Sequence, residues 1–423
     1  MGLGKTIEVI AFLKGIKKNA PILIVSPKSL IFNWLNEFAK FDPEAKVKAI
    51  YGVKKDRERI IKNIKDDEKV IYLTSYDSLR QDEELYVDKK FEVMILDEAQ
   101  AIKNSRAKKT ITVTHINSEV RFVLTGTPIE NSILDLWSIF NFLMPGYLGD
   151  IESFKTLYEN SGEEIKARLR KKIAPFILRR NKKDVLKDLP PKYELIISSE
   201  MNSSQKKVYE AHRVEARNIL KNGGKAFDVL YLLTRLRQIC IDPSLFIDNY
   251  HDGSGKIDTL MEIIEDKIAD GHRMLIFSQF VKALELVETK LRERDIDYLK
   301  ITGQTPGEER VEITNKFNSN KRYKIVLISL KAGGTGLNLI GADTVIHLDP
   351  WWNVAAQDQA SDRAHRIGQE KNVEVIKLIC EDSIEQRVVE LQNIKKELIA
   401  SLISDDESSI TNLSIEDIGF ILS

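Results

Sequence analysis

The chain has 423 residues, 43% of them hydrophobic, with 64 basic and 64 acidic residues and no formal net charge. This length and apolar content suit two domains, and the even balance means that any polyanion must be met by a local patch rather than by the overall field. No signal-peptide layout and no apolar run long enough to span a bilayer is present, so a soluble, cytoplasmic protein without a membrane partner is expected.

The two cysteines, Cys240 and Cys380, and the 6 histidines form no CxxC or HxxxH pattern. Their spacing points to neither a zinc site nor a disulfide framework. The chain opens on Met1-Gly2-Leu3-Gly4-Lys5-Thr6. Gly-Lys-Thr is the closing half of a phosphate-binding loop. In such a loop the glycines turn backbone N–H groups toward phosphate, the lysine neutralises charge, and the threonine hydroxyl holds Mg²⁺ at a helix start. The apolar stretch Ile7 to Leu13 supplies a compatible helix. The opening of the loop lies before the first residue, so the chain reads as truncated within it. Gly2 and Thr6 also fit an N-myristoylation pattern, with nothing else in the chain suggesting an anchor.

Four short apolar runs follow: Pro21 to Pro27, Val70 to Thr74, Phe91 to Asp97 and Val120 to Thr125. Helical patterns such as Leu30 to Ala39 and Arg57 to Lys65 separate them. This alternation predicts a parallel sheet with helices on both faces and ligands at the carboxyl ends of its strands. The third run ends in Asp97-Glu98-Ala99-Gln100. Asp97 suits a Mg²⁺ ligand, and Glu98 suits the group that orients and deprotonates water. The fourth ends in Leu124-Thr125-Gly126-Thr127-Pro128, a small hydroxyl-rich turn able to sense phosphate state.

The order of these pieces carries more than any one of them. GKT, PKSLIFNW (Pro27–Trp34), TSYDSLR (Thr74–Arg80), DEAQAIKN (Asp97–Asn104) and LTGTPIENSILDLWSIFNFL (Leu124–Leu143) form a series. It resembles the first motor lobe of the Swi/Snf-type DNA-translocating ATPases, a branch of the superfamily-two helicases. The resemblance implies that Gly2, Gly4, Lys5, Thr6 and Gln100 bind ATP. Thr6 and Asp97 would hold Mg²⁺, and Asp97 and Glu98 would carry hydrolysis. It lays Lys28, Ser29, Ser75 and Tyr76 along the DNA backbone.

Between Pro145 and about Tyr250 the chain reads as helical and charged. Lys166, Arg168, Arg170, Lys171, Lys172, Arg179, Arg180, Lys182, Lys183, Lys187 and Lys192 face only Asp184 and Asp188. Such a cluster suits phosphate tracking or, alternatively, a solvated helix face. Gly223-Gly224 and 251–255 read as loops.

A second strand–helix series begins near Ser254, with strands at Arg273 to Ser278, Tyr298 to Thr302, Tyr323 to Ser329 and Asp343 to Leu348. Ser278, Gln279, Thr302 and Ser329 fall at strand ends and are candidates for nucleic-acid backbone contacts. SLKAGGTGLNL (Ser329–Leu339) and DQASDRAHRIGQ (Asp358–Gln369) resemble the fifth and sixth motifs of the same family. By that match Gly336, Gln359, Arg363 and Arg366 face ATP. Arg363 and Arg366 stand three apart, so on a helix they share one face and can act as arginine fingers. Trp351-Trp352 reads as packed against the lobe rather than stacked on bases. Val354 replaces the proline usual in the family after Asp349-Pro350-Trp351-Trp352-Asn353.

The expected fold is therefore α/β, with two RecA-like P-loop NTPase lobes, each a parallel sheet flanked by helices. The expected domains are lobe one at 1–144, a helical protrusion and linker at 145–250, lobe two at 251–403, and an acidic tail with a short helix at 404–423. The expected function is ATP-dependent translocation on double-stranded DNA. ATP and Mg²⁺ are cofactors, the motor is monomeric, and a DNA-bound protein is the target displaced or remodelled. A non-hydrolysing DNA-binding or assembly module, and a strand-separating helicase, are the alternatives.

Overall fold

The computed structural model describes residues 3–126, 133–158, 162–180, 189–222, 226–333, 336–351 and 354–402. Gly2, Thr127, Pro128, Lys182, Lys183, Asp184, Lys187, Asp188, Gly223, Gly224, Gly334, Thr335, Trp352 and the 404–423 tail lie outside the described residues. The chain forms two compact units, Met1–Lys187 and Asp188–Ser423.

In the first unit, strands β1 (Ile22–Ser26), β2 (Val47–Ala49), β3 (Ile71–Ser75), β4 (Lys90–Asp97) and β5 (Asn117–Leu124) make one sheet in the order β2-β3-β1-β4-β5. Every pairing in it is parallel. β1 and β3 are buried at every position, as a strand covered on both faces must be. Alternate side chains of β1 enter opposite cores. Leu23 and Val25 join Met94, Leu96 and Tyr72 on one face, and Ile22 and Ile24 join Ile95, Leu73 and Trp34 on the other. A helical subcore of Leu136, Phe140, Phe154, Leu169 and Ile173 follows.

In the second unit, β6 (Lys192–Ser199), β7 (Met274–Ser278), β8 (Tyr298–Ile301), β9 (Ile325–Ser329), β10 (Thr344–His347) and β11 (Val373–Cys380) are ordered β6-β11-β10-β7-β9-β8, again all parallel. Met274 and Ile276 face one core, and Leu275 and Phe277 face the other. Both sheets thus carry the strand–helix architecture expected.

The expectation of a separate helical region at 145–250 needs correction. Residues up to Lys187 belong to the first unit, and the rest belong to the second. β6 lies within that stretch and pairs with β11 from Lys192–Val373 through to Ser199–Cys380. The helices Ser203–Lys221 and Ala226–Ile241 pack through Tyr209, Leu232, Leu236 and Cys240 onto Cys380, Ile384 and Val388. They are built into the second unit's core. No described helix is long and apolar enough to cross a membrane.

Candidate nucleotide site and the strand ends that build it

The helix Lys5–Gly15 starts from Gly4, whose backbone is left-handed at φ 80. A residue with a Cβ is strained there, so glycine is the natural choice. An α-helix leaves its first N–H groups without i−4 acceptors, and here these belong to the Lys5-Thr6 turn. Both side chains are half-buried.

Asp97 ends β4 next to β1, where the strand order reverses: β1 leads outward to β2 and β3 on one side, and β4 and β5 fill the other. Open parallel sheets bind ligands at such a switch point. The Asp97 carboxylate accepts from the Trp34 indole Nε1 at 3.0 Å and from the Glu98 backbone N–H at 2.9 Å. Tyr76 donates its hydroxyl to the Asp97 carbonyl at 2.8 Å. Burial first, then repulsion from Glu98, pushes the Asp97 carboxyl up from 3.8 to about 6, against the donation from Trp34 and the attraction of Lys5. A carboxylate raised this way costs stability once ionised, so the metal-free chain loses stability as pH rises from the ordinary carboxylate range through about 6. A cation at this carboxylate removes that cost, so the donor set fits Mg²⁺.

Glu98 sits in the left-handed region at φ 49, ψ 56, uncommon for a residue with a side chain. Its Oε2 accepts from Gln100 Nε2 at 2.7 Å, and Gln100 Oε1 in turn accepts from the Thr125 hydroxyl at 3.4 Å. One amide therefore joins the acid after β4 to the turn after β5.

Trp34 and the Gln100–Thr125 link are what the chain reading misses. Trp34 stands inside PKSLIFNW, but nothing in its position shows that its indole reaches 63 residues along the chain. Trp34→Phe keeps the ring and loses the donor. We expect it to raise the Asp97 titration above about 6, read by NMR of labelled aspartate, and to cost the first unit about 1.5–3 kcal/mol in urea unfolding.

Several backbone-contact candidates are placed differently from expectation. Tyr76 is 5% exposed and packs in the core, so it offers no surface to DNA. Ser75 is buried and caps the helix Tyr76–Gln81 through Ser78 N. Ser278 is buried and donates to Asp349, and Ser329 and Thr302 are buried as well. The hydroxyls of Ser75, Ser278 and Thr302 each accept from a backbone N–H of the turn that follows their strand. Lys28 stays exposed, over the Tyr51 ring, and Ser29 and Gln279 are half-buried. In the basic stretch, Arg168 pairs with Glu164 and Arg180 with Glu8, while Arg170, Lys171, Lys172 and Arg179 are exposed.

The second unit has its own switch point, between β7 and β10. It is filled by protein. Arg237 donates to Asp349 Oδ2 at 3.0 Å, to Gln279 Oε1 at 2.8 Å and to the Pro350 carbonyl at 2.8 Å. Asp349 Oδ1 accepts from Ser278 Oγ at 2.6 Å and from Gln279 N at 3.1 Å. Trp351 lies over the Arg237 guanidinium and packs on the core beneath, as expected for this ring.

The shared helical face of Arg363 and Arg366 is overturned. The helix Val354–Ser361 ends before both, in a run of turns. Arg363 is 1% exposed and its Nε donates to the Gly333 carbonyl, bracing the glycine-rich loop from inside. A Cβ at Gly333 would stand 2.4 Å from the Phe277 ring, so Gly333 lies directly on the sheet. Arg366 is half-buried, with its Nε on the Asp362 carbonyl. Gln359 is half-buried within the helix, and Gly336 is left-handed at φ 46.

Residues 1–245 match the model of the SNF2-related domain, and residues 255–368 match that of the helicase conserved C-terminal domain. The chain belongs to the SNF2 family. An uncharacterised ATP-dependent helicase of Mycoplasma genitalium is 38% identical over 99% of this chain and 41% of its own length. A human SWI/SNF-related, matrix-associated, actin-dependent regulator of chromatin is 35% identical over 95% of this chain and 41% of its own. The SNF2 chain thus spans about two fifths of the length of these relatives. Among solved structures, a Sulfolobus solfataricus SWI2/SNF2 ATPase core in complex with dsDNA is 34% identical, with 100% of this chain and 91% of that chain covered and a TM-score of 0.46.

Proposed function

We propose that this chain is a motor core that hydrolyses ATP and uses the energy to move along double-stranded DNA without necessarily separating its strands. The observation that carries the reading is the hydrogen-bonded line from Trp34 through Asp97, Glu98 and Gln100 to Thr125, set at the strand ends of the unit that holds the Lys5-Thr6 helix start. Lys5 and the first-turn N–H groups bind the phosphates. Thr6 and Asp97 hold Mg²⁺, which when bound supplies Lewis-acid neutralisation of phosphate charge. Glu98 takes the proton of the attacking water, and Gln100 fixes the rotamer of that carboxylate. Arg366 stabilises developing charge, and Arg363 positions the glycine-rich loop rather than touching phosphate. Exposed Lys28 and the exposed cations Arg170, Lys171, Lys172 and Arg179 meet the polyanion through its phosphates. The kinship with proteins named as helicases and chromatin-remodelling ATPases supports a nucleic-acid track.

The test is ATP hydrolysis by the chain in the presence of duplex DNA, single-stranded DNA or RNA. Duplex DNA is expected to be the strongest activator, and Lys5→Ala to abolish ATP binding and stimulation together. Activation by RNA or single strands alone would replace translocase with strand-separating helicase. Tight ATP binding without turnover on any activator would leave a non-hydrolysing assembly module.

A further inference from the structure

The second unit holds a cluster of ligating groups that the motor chemistry does not use. Cys240 lies near the end of the helix Ala226–Ile241, Cys380 is the last residue of β11, and Glu385 is in the first turn of the helix Ile384–Leu402. They are 140 residues apart at the cysteines, yet the two Sγ atoms and a carboxylate oxygen all lie within 4.8 Å of one another. All three residues are 0% exposed.

Glu385 Oε2 accepts from Lys256 Nζ at 2.5 Å and from Cys380 N at 3.0 Å. Glu385 Oε1 is buried with no hydrogen-bond partner. An unsatisfied carboxylate oxygen beside two thiols is a costly arrangement that a bound cation relieves.

We propose that Cys240, Cys380 and Glu385 form a binding site for a thiophilic divalent cation of the Zn²⁺ class. Two thiolates select such an ion over Mg²⁺ or Ca²⁺. On uptake, the two S–H bonds break, two S–metal bonds and one O–metal bond form, and two protons leave to solvent. No electrons move, and the cluster keeps its charge because one dication replaces two protons. Lys256 remains on Oε2 and balances the single negative charge of the loaded site. The Ser199 hydroxyl, 3.7 Å from Cys380 Sγ, stands next to the remaining coordination position. Closing onto metal–ligand distances of about 2.0–2.3 Å asks for roughly 1 Å of side-chain adjustment. Uptake releases the two thiol protons, so it strengthens as pH rises.

The test uses the full chain, stripped with a chelator and titrated with Zn²⁺ and with Cd²⁺. The expected result is one ion per chain, release of about two protons per ion in weakly buffered solution, and a Cd²⁺–thiolate ultraviolet charge-transfer band. The chain has only two cysteines, so the band reports these two. Cys380→Ser and Cys240→Ser should each weaken binding by roughly tenfold or more while the circular dichroism spectrum stays native. Glu385→Gln also strands Lys256 and can fail to fold, so the serine variants and the wild-type band decide. Absence of the band, or unchanged affinity in a folded Cys380→Ser chain, overturns the site.

Discussion

Glu98→Gln is expected to lower the rate of ATP hydrolysis by roughly 10²–10⁴-fold and leave ATP affinity near its original value. The substitution keeps the side-chain shape and still offers a carbonyl oxygen to Gln100 Nε2, now 2.7 Å from the carboxylate. What it removes is the basicity that accepts a proton from water. Binding should survive because the phosphates are held elsewhere, at the Gly4-Lys5-Thr6 helix start. The left-handed backbone of Glu98 supports the same assignment. A conformation at φ 49 costs a residue with a side chain on the order of 1 kcal/mol or more, and the pinned amide of Gln100 helps to maintain it. Single-turnover hydrolysis and the affinity of a fluorescent nucleotide separate the two quantities. Equal loss of binding and turnover would place Glu98 in nucleotide retention and deny it the role of base.

The contrast between Glu98 and Arg363 shows which parts of the site are readable from the chain. Asp97 and Glu98 are legible because an apolar run as clear as Val93 to Leu96 has to end at the sheet's carboxyl edge, and two acids follow it directly. Position relative to a strong local pattern is enough. Arg363 depends on where a weakly patterned helix stops. Three-residue spacing puts it on a face with Arg366 only if the helix continues past Ser361, and it does not. The tertiary fold then turns Arg363 inward onto the Gly333 carbonyl. Tyr76 fails for a similar reason. Its place after a strand suggests a surface contact, whereas its ring fills the core beside Leu79 and Tyr86.

The sheets divide in the same way. The central strands, buried on both faces, give continuous apolar runs. β6 sits at a sheet edge with Glu194 and Lys192 in it, and it is exposed at five of its eight positions, so the charge around it hides the strand. Only its partner β11, an apolar run of its own, reveals it. Cys240 and Cys380 are the extreme case, since no local pattern links residues that meet only when a helix closes on the far end of β11.

Arg237→Leu should destabilise the second unit by about 3–5 kcal/mol, the effect of stranding a buried charge. Arg237 is 3% exposed in a helix whose Leu233, Leu236 and Cys240 are also buried, and an arginine buried there must be offset by partners. It has them: Asp349, the Gln279 amide, the Pro350 carbonyl, and the Phe280 and Trp351 rings at 5.4 and 5.2 Å from its guanidinium carbon. Burial lowers its pKa and the attraction of Asp349 opposes that, so the guanidinium stays charged. Removing it leaves the Asp349 carboxylate buried with only Ser278 and Gln279 N as donors. Asp349→Asn alone should also be costly, because it strands the arginine. The double variant should lose close to what Arg237→Leu loses by itself rather than the sum, since the two side chains act as one unit. Arg237→Lys keeps a charge but lacks the planar fork that reaches three acceptors, so it should recover only part of the loss. Urea unfolding followed by circular dichroism measures all four proteins. Strict additivity, or a loss below about 1 kcal/mol for Arg237→Leu, would mean that the ion pair is not what closes the second unit's switch point.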